Sequence, residues 1–341
     1  MCKRIFASQT SDTGDVPFYK IGTIGGKADA FISQALFEEY RDRYNFPQKG
    51  DVLISCAGTV GKTVVYDGQP AYFQDSNIVW VSNPKQLYIN SFLRYILSRV
   101  DWRKLNTTTI IRIYNDNLRE LAVNFPSVKE QEKIVGLLSL IDELIAIQSK
   151  IIERYQSLIR ALYARMLGKM DGEKYALGQL VTIRKGQQVN GEFLAESGTY
   201  KVLNGGINPS GYLEEYNTPS GTISISEGGN SCGYVQFNSE PFWSGGHCYT
   251  LESNDEMVNY LFLYHYLKFK QADIMALRIG SGLPNVQKKD LEKFEVIIPD
   301  TQYQNKATSI FSILSEKIEL EQYMLGVMNE QKAYLLRQLF I

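Results

Sequence analysis

The chain has 341 residues, 44% of them hydrophobic, and a formal net charge of −1. That length and apolar content suffice for two or three domains with proper cores. The charge excludes a free-standing polycation: residues 1–125 carry 15 Lys and Arg against 12 Asp and Glu, a net of +3, and 172–300 carry 10 against 15, a net of −5, so a polyanion must be held by local basic patches or with another subunit's help.

The start, MCKRIFASQTSD, has no apolar core of signal-peptide length, and no uncharged run reaches the ~18 residues of a membrane span. A soluble, cytoplasmic protein is expected. Cys2, Cys56, Cys232 and Cys248 show neither a CxxC pair nor regular spacing, which reads as free thiols in a reducing compartment. Asp51–Ser55 predicts a buried strand opening into the glycine-bearing loop Gly58-Thr-Val-Gly61. A second strand (Thr63–Tyr66), Pro70, an aromatic and polar segment (Tyr72–Asn77), an apolar helix (Ser91–Val100), a polar loop (Thr107–Arg112) and a closing strand (Leu121–Phe125) follow.

After Pro126, Ser127-Val128-Lys129-Glu130 reads as a capping box. From there a heptad runs with Ile134, Ile141, Gln148, Tyr155 and Leu162 at one seam position and Leu138, Ile145, Ile152, Ile159 and Met166 at the other. Gly168 ends the helix, and a polar linker leads to Gly172.

The second half repeats this order: Gly221–Ser226, the loop Gly228-Gly-Asn230, Tyr234–Phe237, Pro241, Phe242–His247, a helix Met257–Phe269, the loop Gly280–Asn285 and a strand Phe294–Ile298. Asn117-Leu118, Pro126, Gln131, Ile141 and Ile145 recur 173 positions later (290 − 117) as Asp290-Leu291, Pro299, Gln304, Leu314 and Ile318. Adding 173 to the seam gives Ala307, Leu314, Glu321, Met328 and Leu335, then Phe311, Ile318, Leu325, Lys332 and Leu339. The polar position at Gln148 returns at Glu321, and Thr301-Gln302-Tyr303-Gln304 repeats the capping logic. Either helix alone could pack on its own domain. The shared register favours two helices of roughly 55–60 Å packed as an antiparallel coil.

The copies differ at their starts. An opening strand pattern, Tyr175–Arg184, precedes Tyr200-Lys-Val202, but nothing similar precedes Tyr19-Lys-Ile21. In the first copy that strand is missing, displaced or supplied by something else.

Catalytic motifs do not emerge. Gly58-Thr-Val-Gly61-Lys62-Thr63 ends like a phosphate-binding loop, but its first glycine lies too close to Gly61. Asn208-Pro209-Ser210-Gly211 begins like an amino-methyltransferase motif without its second proline or aromatic. His265 sits within an apolar helix, and His247 with Cys232 and Cys248 lacks zinc spacing. Neither a metal nor a cofactor is expected in the chain. Polar loops with interspersed basic residues remain, and suit phosphates and base edges. In the first copy the candidate DNA-binding residues are Lys20, Thr23, Lys27, Thr59, Lys62, Gln74, Asn77, Thr108 and Arg112. In the second they are Lys185, Asn204, Asn208, Glu227, Asn230, His247, Arg278, Ser281, Asn285 and Lys288.

With Val123-Asn-Phe-Pro-Ser-Val-Lys-Glu-Gln131 repeated as Val296-Ile-Ile-Pro-Asp-Thr-Gln-Tyr-Gln304, and Gly280-Ser-Gly-Leu-Pro-Asn285 before Lys289-Asp-Leu291, the chain resembles the specificity subunit of a type I restriction–modification enzyme over essentially its whole length. The resemblance implies two target-recognition domains reading the halves of a split, asymmetric double-stranded DNA site. It also implies helical spacers that dock methyltransferase subunits, two of them, and a restriction and translocase subunit where the system has one. Chemistry would then lie in those partners, which use S-adenosylmethionine and ATP. The expected fold is α+β: recognition domains at 1–125 and 169–300, long helices at 126–168 and 301–341, and a pseudo-two-fold arrangement. The rival reading is a non-DNA interaction scaffold with two binding heads, favoured by the acidic balance of 172–300.

Overall fold

Val52-Leu-Ile-Ser55 and Thr222-Ile-Ser-Ile-Ser226 are buried at every residue, and each is the inner strand around which one globular head is built. The computed structural model describes all residues except 84–87, 103, 105–111, 255–257, 281, 283 and 341. It divides into two units, 1–148 with 324–341, and 149–323.

In the first head, β1 (Val16–Tyr19), β2 (Phe31–Ile32), α1 (Gln34–Arg43), β3 (Val52–Ser55), β4 (Thr63–Val65), β5 (Tyr72–Phe73) and β6 (Ile78–Val81) precede α2 (Asn90–Arg99) and α3 (Asn115–Arg119). One sheet has the order β2-β1-β5 and the other β4-β3-β6. The turn carrying Gly58 and Gly61 joins β3 to β4, with Gly61 N donating to Ser55 O at 2.9 Å. The expected closing strand at Leu121–Phe125 does not form: this stretch belongs to no strand and pairs with none among the described residues. The chain then enters α4 (Val128–Met166).

The second head runs through β7 (Glu173–Ala176), α5 (Leu177–Leu180), β8 (Val181–Lys185), β9 (Tyr200–Leu203), β10 (Gly211–Leu213), β11 (Thr222–Ser226), β12 (Val235–Asn238), β13 (Trp243–Ser244) and β14 (Cys248–Ser253). It closes with α6 (Tyr260–Phe269), α7 (Gln271–Ala276), α8 (Lys288–Glu292) and β15 (Glu295–Ile298) before α9 (Thr301–Leu339). The sheet β10-β9-β13 matches β2-β1-β5, one antiparallel and one parallel pairing in each. The sheet β12-β11-β14-β8 matches β4-β3-β6 with one strand added. The segment read as a single opening strand is two strands around a helical turn, because β7 pairs with β15 while β8 pairs with β14.

Glutamines tie each helix start to its head. Gln131, fully buried, accepts from Ile89 N at 2.8 Å and donates to Pro126 O at 2.9 Å. Gln304 accepts from Asn259 N at 2.8 Å and donates to Pro299 O at 2.9 Å. Ser127 caps α4 through Glu130 N. Its counterpart on α9 is Asp300, which accepts from Tyr303 N at 2.8 Å; the cap therefore lies one residue before the expected Thr301.

In the first unit, Ile134, Leu138, Leu335 and Leu339 pack with Phe340 and with Phe92, Tyr95 and Ile96 of α2. In the second, Ile159, Leu162 and Tyr163 pack with Ala307 and Phe311, whose ring lies 4.6 Å from that of Tyr163, and with α6. Asp142 of α4 meets Lys332 of α9 in the first unit, and in the second Tyr163 meets Phe311 and Met166 O accepts from Tyr303 OH. Every position of the sequence-derived seam is buried or half-buried, including Ile141, Ile145, Ile152, Leu314, Ile318, Leu325 and Met328. Leu137, Leu140, Leu144 and Ile147, on the next stripe of α4, are 44–54% exposed. No described helix is long and apolar enough to cross a membrane.

Candidate nucleic-acid interface

Five loops of the second head meet around one carboxylate. Glu227, at the end of β11, has a side chain only 6% exposed. Its Oε1 accepts from Lys185 Nζ at 2.6 Å and from Tyr249 OH at 2.9 Å. Its Oε2 has no well-aligned hydrogen bond among the described residues, and His247 Nδ1 lies 3.5 Å away. Asn204 Oδ1 accepts from His247 N at 3.1 Å, and Gly228 bridges to Asn285. Gly205, at φ +83°, makes this convergence possible: a Cβ there would come within 3.1 Å of Gly228 O and of His247 Cβ.

The buried carboxylate holds a cation and an imidazole at the rim, with Lys185 and His247 53% and 59% exposed. Both partners thus combine an inward contact to Glu227 with exposure to solvent at the rim. Burial, then the hydrogen bond to Glu227, pushes the Tyr249 phenol well above its ordinary pKa, so it stays a neutral donor. Burial pushes the Cys248 thiol up to about 11, and Cys56 likewise, so neither is a thiolate nucleophile near neutrality. The other histidine, His265, is packed in α6 beside Tyr163, with its Nδ1 2.9 Å from the phenol oxygen. Burial pulls its pKa down to about 4, keeping it neutral and structural.

The first head builds the same frame with other chemistry. Cys56 N donates to Asn77 O and Cys56 O accepts from Ile113 N, at 2.7 and 2.9 Å. Glu227 N donates to His247 O and Glu227 O accepts from Val286 N, at 2.9 and 2.8 Å. A buried thiol and an asparagine thus occupy the places of the acid and the histidine. Around them, Gln74 Oε1 accepts from Ile21 N at 3.2 Å and Thr59 Oγ1 donates to Ile21 O at 2.6 Å. Thr23 Oγ1 accepts from Lys20 N at 3.0 Å. Lys20 pairs with Asp29 at 3.1 Å, and Arg112 donates to Ser76 O at 3.2 Å. Gln74, Thr59 and Thr23 therefore brace a loop, whereas the exposed Lys27 and Lys62 point charge outward.

The sequence-derived set falls into groups. Lys185, Asn204, Glu227, His247 and Asn285 come together, as do Lys20, Thr23, Thr59 and Gln74. Asn208, Asn230 and Arg278 are exposed, and Lys288 is the first residue of α8, 3.6 Å from Glu292. Thr108 and Ser281 lie outside the described residues. Tyr249 was not singled out, and the strand alternation that buries it gave no signal of its contact with Glu227.

The model of the type I restriction modification DNA specificity domain matches residues 1–155 and again 170–325. A putative type I restriction enzyme specificity subunit of Haemophilus influenzae is 49% identical over 144 residues, 42% of this chain and 37% of that protein. A putative type I specificity subunit of Mycoplasma pneumoniae is 34% identical over 43% of this chain and 39% of its own length. The chain thus spans about two fifths of these relatives. A crystal structure of the S subunit of a type I restriction–modification system from M. genitalium has a TM-score of 0.67 at 21% identity, over 100% of this chain and 92% of that one, a likeness of fold. Two matches to the family model, one over each head, carry the conclusion: the chain belongs to the type I restriction–modification DNA specificity domain family.

Proposed function

We propose that the chain reads a bipartite, asymmetric DNA site as the specificity subunit of a type I restriction–modification system, with recognition domains at 1–125 and 169–300. The observation that carries this reading is one frame with two different rims: Cys56 and Asn77 in one head stand where Glu227 and His247 stand in the other. Heads with different donors and acceptors select different bases. Lys27, Lys62, Arg278 and Lys288 suit phosphate contacts, and His247, Asn204 and Asn285 suit base edges. The helices, 39 residues each or about 58 Å, would pair antiparallel as a ruler relating the heads by a pseudo-two-fold axis, like dimeric repressors on spaced half-sites. The exposed stripe Leu137, Leu140, Leu144 and Ile147 offers an apolar face for the methyltransferase subunits. Those partners would flip the target adenine and methylate it from S-adenosylmethionine, ATP would drive a restriction subunit, and the chain itself would perform no catalysis in the cytoplasm. Native mass spectrometry of the co-expressed complex tests this: two methyltransferase copies per chain are expected, lost with Leu140→Asp and Leu144→Asp, and a chain that binds neither methyltransferase nor DNA contradicts it.

A further inference from the structure

A cleft of about 1340 Å³ in the first unit lies beside the open edge of β6 and is lined by Val79, Trp80, Val81, Tyr88 and Leu118. Among the described residues no strand pairs with that edge. The second head shows what fits there. Its counterpart of β6 is β14, since Ser55 pairs with Ile78 as Ser226 pairs with Cys248. Beside β14 runs β8; α5 packs on α8, the counterpart of α3; and β7 covers β15, the counterpart of 121–125. Residues 173–185 therefore close three surfaces at once.

Burial records the difference. Leu251, Leu291 and Val296 are 1%, 0% and 0% exposed, whereas their counterparts Val81, Leu118 and Val123 are half-buried, and Phe125 is 36% exposed where Ile298 is 6%. Two backbone edges without a strand partner among the described residues, flanking an apolar floor, form a template for strand addition.

We propose that this cleft docks a strand–turn–strand peptide with apolar residues spaced as Leu177, Leu180, Val181 and Ile183. Its backbone pairs with β6 and with 121–125, and its apolar residues cover Leu118. Nothing in this depends on what the heads read.

The test titrates the full chain into a fluorescein-labelled synthetic peptide with the sequence of residues 173–185. Saturable one-to-one binding is expected, with slowed hydrogen exchange at the amides of 79–82 and 121–125. A peptide with Leu180→Asp and Val181→Asp should bind at least tenfold more weakly, a comparison that leaves the protein untouched, and Leu118→Asp in the protein should do the same. Absence of saturation, equal binding of the substituted peptide, or protection confined to the second head would each overturn the proposal. So would a chain already dimeric on its own with those amides protected, because the cleft would then belong to a second copy.

Discussion

Lys332 on α9 reaches Asp142 on α4, its Nζ 2.5 Å from Oδ1. The other carboxylate oxygen accepts from Arg94 Nη2 at 2.9 Å and from Tyr95 OH at 2.8 Å, so one acid joins both helices of the first unit to α2. Burial by itself would raise the Asp142 pKa; the bonds from Lys332, Arg94 and Tyr95 outweigh it and hold the carboxyl below its usual range. A depressed acid contributes stability that is present above the ordinary carboxylate range and is lost as pH falls through its folded value. Lys332→Ala should lower stability by about 1 kcal/mol at neutral pH, because the pair is still a quarter exposed. Asp142→Asn should flatten the acid limb of stability against pH below about 4. Urea unfolding across pH measures both.

Gln131 and Gln304, themselves buried, each accept from a half-buried backbone N–H across a helix–head junction. Replacing either by Ala leaves a donor and a carbonyl without those partners, at a cost of about 1–3 kcal/mol. Domain-resolved hydrogen exchange should show Gln131→Ala loosening the first unit and Gln304→Ala the second. An unchanged exchange pattern would argue that the repeated glutamine does not hold the junction.

Phe311 is fully buried against Tyr163 and His265. Phe311→Ala should cost about 3–5 kcal/mol in the second unit. Leu137→Ala, on an exposed stripe, should change stability by less than about 0.5 kcal/mol. Equal losses at the two sites would contradict the seam assignment.

On DNA, Arg278→Ala and Lys288→Ala should each reduce the slope of log affinity against log salt by about one, uniformly across sequences. His247→Ala should instead relax base preference in the half-site read by the second head by roughly 1–3 kcal/mol, leaving the other half unchanged. Competition binding with singly substituted duplexes separates the two behaviours.

The helices were legible because an apolar seam repeats over many turns and its register is shared between copies. Lys332 is a charged residue at a seam position, and its contact with Asp142 is one that no spacing rule contains. The strand at Leu121–Phe125 was read from its match to β15 and did not form, since strand pairing needs a partner and β7 has no counterpart among the described residues of the first head. Motif matching also aligned Tyr19 with Tyr200, whereas strand pairing puts Tyr19 in the place of Leu203: Gln74 N donates to Tyr19 O as Gly245 N donates to Leu203 O. At the rims, residue type suggested polar contacts but not which side chains brace loops. Thr59 and Gln74 turn inward to Ile21, and Glu227 is buried as an anchor for Lys185 and Tyr249.

The ruler is tested most directly by lengthening it. Seven residues inserted between Gln148 and Ser149, with a matching heptad at the facing point of α9, add about 10.5 Å at 1.5 Å per residue, or about three base pairs. Site selection with the methyltransferase complex should then return the same two half-sites with a spacer longer by about three base pairs. An unchanged spacer, or a single contiguous site before and after insertion, would contradict the account.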